Sequence, residues 1–445
     1  MPSTDRAAPS RSHGAALIAS VLFLLACGKE DLRFVLEKKP IPELPYQGFR
    51  RDIPEARRGN AVFSKAAFTS DGRYLVTLGA GVHVWDAQTG ALLRTLDGTL
   101  DGNDRLVADG HFHKVLARRR DVPPSDPAAL GLWIWDLNDG TRAGPIPESS
   151  DAERVSPVGI TRAGAVIVTR RGRVETWGLD GSGPRTIVDP PPGRYFCQSF
   201  DDIAQDKGCP DLSPSGRWLA ASDRDTATWT TPAGHWLVDL ERGTKRAMTF
   251  PESARIERGG FAFSPDEQTL ALQATDGMWI GYPVDSASAP QGGVGRFVRG
   301  EHQRNLFLIP MAYTADGRRI IALGDQMTVA TYDATTGALV GRMAPPFEER
   351  EGALRVSADG ARAIAYRYIA DILVVLDGQA GRQRGYLCPY FCNRAHNPVF
   401  VPFAVSADGR RVATGGRLGA GLWDTDADTL IAPLADPARP ALKPR

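Results

Sequence analysis

Residues able to do chemistry are few in this chain, and most sit in short local clusters. His111 and His113, in the stretch HFH, are spaced to put two imidazoles on one face of a strand, as a metal site could use. No third ligand accompanies them, so the pair reads as structural or exposed. The stretch DTDADT (residues 424–429) opens like a calcium loop, but its sixth position is Thr429 rather than Gly and its twelfth is Ala435 rather than Glu. It reads instead as the counterpart of the ordinary turn DAQTGA (residues 86–91), with Asp428 in the place of Gly90. No G-x-S-x-G, H-E-x-x-H, C-x-x-C-H or Walker-type loop occurs, so no catalytic residue, metal or cofactor is assigned. Five cysteines remain. Cys27 ends an apolar run, and the other four come as two close pairs, Cys197 with Cys209 and Cys388 with Cys392.

Something must position these groups, and composition says what kind of element does so. A chain of 445 residues is long enough for two or three ordinary domains, unless internal repetition makes it one. Its 47 Gly and 33 Pro suit many turns and few long helices. After the first 30 residues no helical periodicity is sustained. Short runs rich in Val, Ile, Leu, Thr and Trp, punctuated by Gly, Pro or Asp, predict an all-β protein.

The repeated punctuation is specific. A turn of one pattern recurs eight times: TSDGR (69–73), VADGH (107–111), TRAGA (161–165), SPSGR (213–217), SPDEQ (264–268), TADGR (314–318), SADGA (357–361) and SADGR (406–410). Each lies between two short apolar strands. Asp accepts hydrogen bonds from nearby backbone amides and Gly takes positive φ without strain, which is what such a hairpin needs. Farther into each unit comes a strand with an aromatic near its end and then a second turn, as in VHVWDAQTGALL (82–93) and TVATYDATTGALV (328–340). A period of about 40 to 50 residues indicates a solenoid or a propeller.

The combination of FSPD with VWD and TG resembles the WD40 and bacterial WD40-like repeats over residues 61–435. That resemblance implies a β-propeller of four-stranded antiparallel blades, eight by the count of turns, with seven as the alternative if the second or fifth unit is misread. The Gly-His pair that opens a typical WD40 repeat is missing from most units. The ring is expected to close by packing of complete blades, as a monomer.

The N-terminal stretch resembles a bacterial lipoprotein signal. Arg6 and Arg11 precede the apolar run of residues 14–26, too short to span a bilayer comfortably, and Leu24-Leu25-Ala26-Cys27 reads as a lipobox. The resemblance implies cleavage of residues 1–26 and lipidation of Cys27. It also implies a place in the cell envelope outside the inner membrane; with no Asp after the cysteine, the outer membrane is the expected one. Residues 27–60, with Pro40, Pro42, Pro45 and Pro54 among charges, are expected to form a tether, and residues 436–445 a tail. Lys+Arg number 53 and Asp+Glu 52, and removing the signal takes two of the first and one of the second. A balanced chain sets up no long-range field for nucleic acid, so that class of partner is discounted.

Antiparallel order puts the repeated Asp-Gly turns on one side of the array. The long insertions then share the opposite side: residues 118–131 within the second unit, 188–211 between the third and fourth, and 388–398 between the seventh and eighth. Recognition residues concentrate on such loops, so Arg119, Tyr195, Phe196, Tyr390 and Phe391 are the interface candidates. The alternative is that the aromatics pack under their own loops. Two links four blades apart cannot be bridged by cysteines, which favours local pairs, Cys197–Cys209 and Cys388–Cys392, over cross-links; free or metal-bound thiols are the alternative. The expected function is that of an interaction scaffold or assembly factor for another envelope protein. A propeller enzyme or ligand-binding module with a loop-built pocket is the alternative.

Overall fold

The chain divides into two compact units, residues 1–45 and 46–445. The computed structural model describes residues 63–79, 81–96, 106–118, 131–148, 155–196, 210–225, 232–250, 260–274, 277–285, 295–299, 311–323, 329–343, 352–357, 361–367, 372–377, 382–387, 403–415, 420–427 and 429–435, all in the second unit. Among them every regular element is a strand, and the strands form antiparallel sheets in chain order.

Sheet 1 comprises Phe63–Phe68, Tyr74–Gly79, Val82–Asp86 and Leu92–Leu96, and sheet 2 Val107–Asp109, Lys114–Arg118, Gly131–Asp136 and Arg142–Pro147. Sheet 3 comprises Val155–Ile160, Ala165–Arg170, Arg173–Gly178 and Thr186–Val188. Sheet 4 has five pieces, Arg194–Phe196, Asp211–Leu212, Trp218–Asp225, Pro232–Asp239 and Thr244–Ala247. Sheet 5 comprises Phe261–Phe263, Thr269–Ala274, Gly277–Pro283 and Arg296–Arg299, and sheet 6 Met311–Tyr313, Arg319–Leu323, Val329–Asp333 and Leu339–Met343. Sheet 7 comprises Gly352–Val356, Arg362–Arg367, Ile372–Asp377 and Arg382–Leu387, and sheet 8 Phe403–Val405, Arg411–Thr414, Gly421–Asp424 and Thr429–Pro433.

The turn between first and second strands shows why the sequence repeats. Its leading Ser or Thr accepts from the backbone N–H that opens the second strand, at 3.0 Å for Thr69 from Tyr74, Ser264 from Thr269 and Thr314 from Arg319. The same hydroxyl donates to the Asp two residues on, at 2.6 Å for Ser264 to Asp266 and Thr314 to Asp316. That Asp in turn accepts from the backbone N–H two residues on, at 3.1 Å from Gln268 and 3.0 Å from Arg318. Gly317 stands at φ +68°, a region costly for residues with a Cβ, and in the fifth unit Glu267 occupies that position at φ +57°.

The second turn is equally regular. Asp86 accepts from the backbone of Gln88 and Thr89 at 3.0 and 2.7 Å, and Asp333 from Thr335 and Thr336 at the same two distances. Asp424 accepts from Asp426 and Ala427 at 2.8 and 2.9 Å, so the calcium-like stretch is this turn.

Central strands are apolar on both faces because alternate side chains serve different neighbours. In sheet 1, Val76, Leu78 and Val84 are buried with Val115, Trp133 and Trp135 of sheet 2, while Leu75 and Trp85 are buried with Leu422 of sheet 8 and with Leu434, which follows its last strand. Shared cores of the same kind join sheets 2 and 3, 3 and 4, 4 and 5, and 5 and 6. Outer strands add polar staples to the next sheet's second turn. Arg246 donates to the Val284 carbonyl at 2.8 Å and Arg296 to that of Thr336 at 2.6 Å.

First turns of successive sheets interlock. A Cβ on Gly110 would lie 2.5 Å from the backbone nitrogen of Asp71, and one on Gly409 would lie 2.9 Å from the Cβ of Ser357. Between them, Arg162 N–H donates to Ser215 O at 3.0 Å and Ser215 Oγ donates to Glu267 at 2.7 Å.

Candidate functional site

Sheet 4 departs from this regularity, and it does so beside two of the interface candidates. Its second strand, Trp218–Asp225, is paired along one edge with Pro232–Asp239. The other edge carries two separate pieces: Arg194, Tyr195 and Phe196 face Asp225, Arg224 and Asp223, while Asp211 and Leu212 face Ala220 and Leu219. The first strand is therefore interrupted between Phe196 and Asp211. Tyr195 and Phe196 belong to this edge strand, not to the loop between sheets that the sequence suggests.

The upper piece is firmly seated. Phe196 is fully buried among Val158, Ile167, Val174, Leu219, Ala221 and Val238. The side chain completes the core between sheets 3 and 4, the packed alternative to an interface role. Its N–H donates to Gly172 O at 2.7 Å. A Cβ on Gly172 would come within 2.1 Å of the Tyr195 Cβ, so only glycine lets the hairpin of sheet 3 approach this closely. Tyr195 itself is partly buried.

Next to it lies a buried carboxylate. Asp223 is 1 % exposed and accepts from Arg194 Nη1 at 2.8 Å and from the Trp236 indole N–H at 2.7 Å. A Cβ on Gly234 would sit 3.1 Å from both Asp223 Oδ2 and Trp236 Nε1, so the glycine leaves room for that bond. Lys245 places its ammonium 5.4 Å from the Trp236 ring and 5.9 Å from that of Phe196. Such a charge is affordable inside the protein only because cation, indole and carboxylate neutralise one another.

On the strand's other face Ser222 Oγ lies 2.9 Å from His235 Nδ1. A hydroxyl beside an imidazole is the pair a nucleophilic site uses. Here both are buried, and the ring stands edge-on to Phe250 and Phe261 at centroid distances of 6.1 Å, which suits packing rather than turnover.

The two histidines of HFH occupy a turn, not a strand. His111 is exposed, and His113, at φ +49°, has Nε2 3.0 Å from Asp71 Oδ2 and Nδ1 3.2 Å from Asn138 Nδ2. With both nitrogens engaged, His113 acts as a cross-link between sheets 1 and 2. Among the described residues no group of three or more His, Cys, Asp or Glu could hold a metal ion.

The Asp-bearing repeated turns share one electrostatic pattern. Hydroxyl bonds from Ser264 and Thr314, with the backbone N–H of Gln268 and Arg318, hold Asp266 and Asp316 below the ordinary carboxylate value. Arg119, Tyr390, Phe391 and the cysteines at 27, 197, 209, 388 and 392 lie outside the described residues. Sequence reasoning missed Arg194, Asp223 and Trp236. The available signal was the length of the strand they surround, which at eight residues exceeds the other second strands.

No protein-family model matches this chain, and no curated protein is found to be similar to it.

Proposed function

We propose that the eight sheets are the blades of a WD40-like propeller, closed between sheets 8 and 1, which acts as an interaction scaffold or assembly factor for another envelope protein. The shared core of Phe63, Leu75 and Trp85 with Leu422 and Leu434 supports closure by complete blades. Lipidation at Cys27 tethers the protein to the envelope, with the outer membrane as the expected site.

The observation that carries the functional reading is the interrupted strand of sheet 4. Among the described residues seven sheets have a single first strand, and this one opens for an insertion beside a buried ion pair. Loops displayed on a rigid frame are where recognition concentrates. The two residues that frame the insertion's ends, Asp223 and Ala220, are three apart on one strand, about 10 Å at ~3.3 Å per residue. A local Cys197–Cys209 bridge, which needs Cα atoms within about 7 Å, would close this insertion on itself, with Cys388–Cys392 as the second pair.

Deleting residues 197–209 from the full chain and comparing partner recovery from detergent-solubilised membranes tests the reading. A defined partner present with the intact chain and lost with the deletion is the expected result. Recovery indifferent to the deletion, together with turnover of a small substrate, overturns it in favour of a propeller enzyme or ligand-binding module. Mass spectrometry of a non-reducing digest reads the lipid on Cys27 from the N-terminal peptide and the cysteine pairing from the peptides that carry Cys197, Cys209, Cys388 and Cys392.

A further inference from the structure

We infer that the seam between sheets 1 and 2 carries a proton-operated latch, in which protonation of His113 turns over the side-chain amide of Asn138. Four side chains form one continuous line. Tyr74 Oη donates to Asn138 Oδ1 at 2.9 Å, Asn138 Nδ2 lies 3.2 Å from His113 Nδ1, and His113 Nε2 lies 3.0 Å from Asp71 Oδ2. Tyr74 and Asp71 belong to sheet 1, His113 and Asn138 to turns of sheet 2.

The direction of these bonds is dictated by donor and acceptor chemistry. An amide NH₂ can only donate, so Nδ1 of His113 must accept and the ring proton must sit on Nε2, aimed at the Asp71 carboxylate. Every partner is matched while the ring is neutral. Adding a proton to Nδ1 sets two donors face to face. Rotating the Asn138 amide by half a turn removes the conflict: Nδ1–H then donates to Oδ1, and Nδ2 donates to Tyr74 Oη.

Only the amide has to move. The Asn138 backbone is pinned on both sides, its N–H donating to Asp136 Oδ1 at 2.7 Å and its carbonyl accepting from Arg94. The other charges around the ring leave the conflict local. Lys114 is paired with Asp136 at 2.6 Å, and the Arg73 guanidinium lies over the Tyr74 ring at 5.3 Å. Asp71 also takes the Thr69 hydroxyl, so it stays a fixed acceptor while the ring changes charge. Protonation thus converts a neutral bond across the seam into an ion pair with Asp71 and reverses the line of hydrogen bonds behind it.

The test is NMR on the full chain, labelled with ¹⁵N in His rings and Asn side-chain amides, between pH 8 and pH 5, where imidazoles change charge. The neutral His113 ring is expected to carry its proton on Nε2. The Asn138 amide signals are expected to shift with the same midpoint as the ring, and H113Q to abolish that shift without unfolding the chain. A neutral ring protonated on Nδ1, an Asn138 amide unmoved while the ring titrates, or a pH response that survives in H113Q each overturns the latch.

Discussion

Sheets 1 and 4 are built to one plan and differ in what they do with it. Both carry the hydroxyl-led first turn and an Asp-led second turn, and both use a third-strand tryptophan as a donor to the second strand. In sheet 1 the first strand is continuous and Trp85 donates to the neutral hydroxyl of Thr77 at 2.9 Å. Sheet 4 has its first strand in two pieces, and Trp236 donates to the buried carboxylate of Asp223, which Arg194 also holds. Sheet 1 uses a neutral acceptor for its tryptophan, whereas sheet 4 uses a charge cluster, as sheet 3 does with Glu175, Arg170 and Trp177, and a charge cluster is far more sensitive to loss.

That contrast orders the expected mutational effects. Asp223→Ala strands the Arg194 cation and the Trp236 N–H together, and removing one partner of a buried pair costs about 3–5 kcal/mol. Equilibrium denaturation measures it, and a loss below about 1 kcal/mol would show the cluster to be incidental to sheet 4. In sheet 1 the corresponding change, Thr77→Val, keeps the volume but leaves one buried indole unpaired, for about 1–3 kcal/mol. If the neutral site proves the costlier of the two, the comparison is inverted.

Sheet 2 sharpens the point in the other direction. Its Trp135 is fully buried and its N–H has no acceptor among the described residues, because Ala117 stands where sheet 1 has Thr77. Ala117→Thr restores the acceptor, and a gain of about 0.5–1.5 kcal/mol is expected in the melting curve. Destabilisation instead would mean that the seam of sheets 1 and 2 is packed too tightly for two added heavy atoms.

The smallest effect concerns acid. Asp266 and Asp316 have folded-state pKa values depressed by the bonds of their turns, so each adds stability that is complete above the unfolded value of about 3.9 and is lost as the pH falls through the folded one. The third unit has Ala163 at that position and contributes no such term. Thermal melts from pH 7 down to pH 3 should therefore steepen below about pH 4, and Asp316→Asn should flatten that limb slightly. An unchanged acid limb would show that other carboxylates dominate it.

Much of this was legible before any coordinates. The turn residues marked the ends of first and second strands in the units, because Ser, Asp and Gly each have one local task there, and local tasks leave local signatures. DTDADT was readable for the same reason. The interruption of sheet 4 was not: Arg194–Phe196 is three residues long and sits among Pro and Gly, so its strand character comes from its partner rather than its composition. Asp223 looked like any acid in SDRD. What makes it special is Arg194 from one side and Trp236 from another, an encounter between segments that spacing cannot announce. His113 was misplaced because alternation in HFH mimics a strand that the chain, at φ +49°, does not form.

Each sheet is assembled from strands that follow one another directly in the chain. Hydrogen-bonded pairing therefore asks for contacts only between near neighbours in sequence, the kind that form quickly and tolerate vectorial synthesis. A growing chain can finish and shelve each sheet before the next emerges. The meeting of Phe63 and Trp85 with Leu422 and Leu434 is the exception, since it joins segments from near the two ends of the described chain and has to wait for the last sheet to be made.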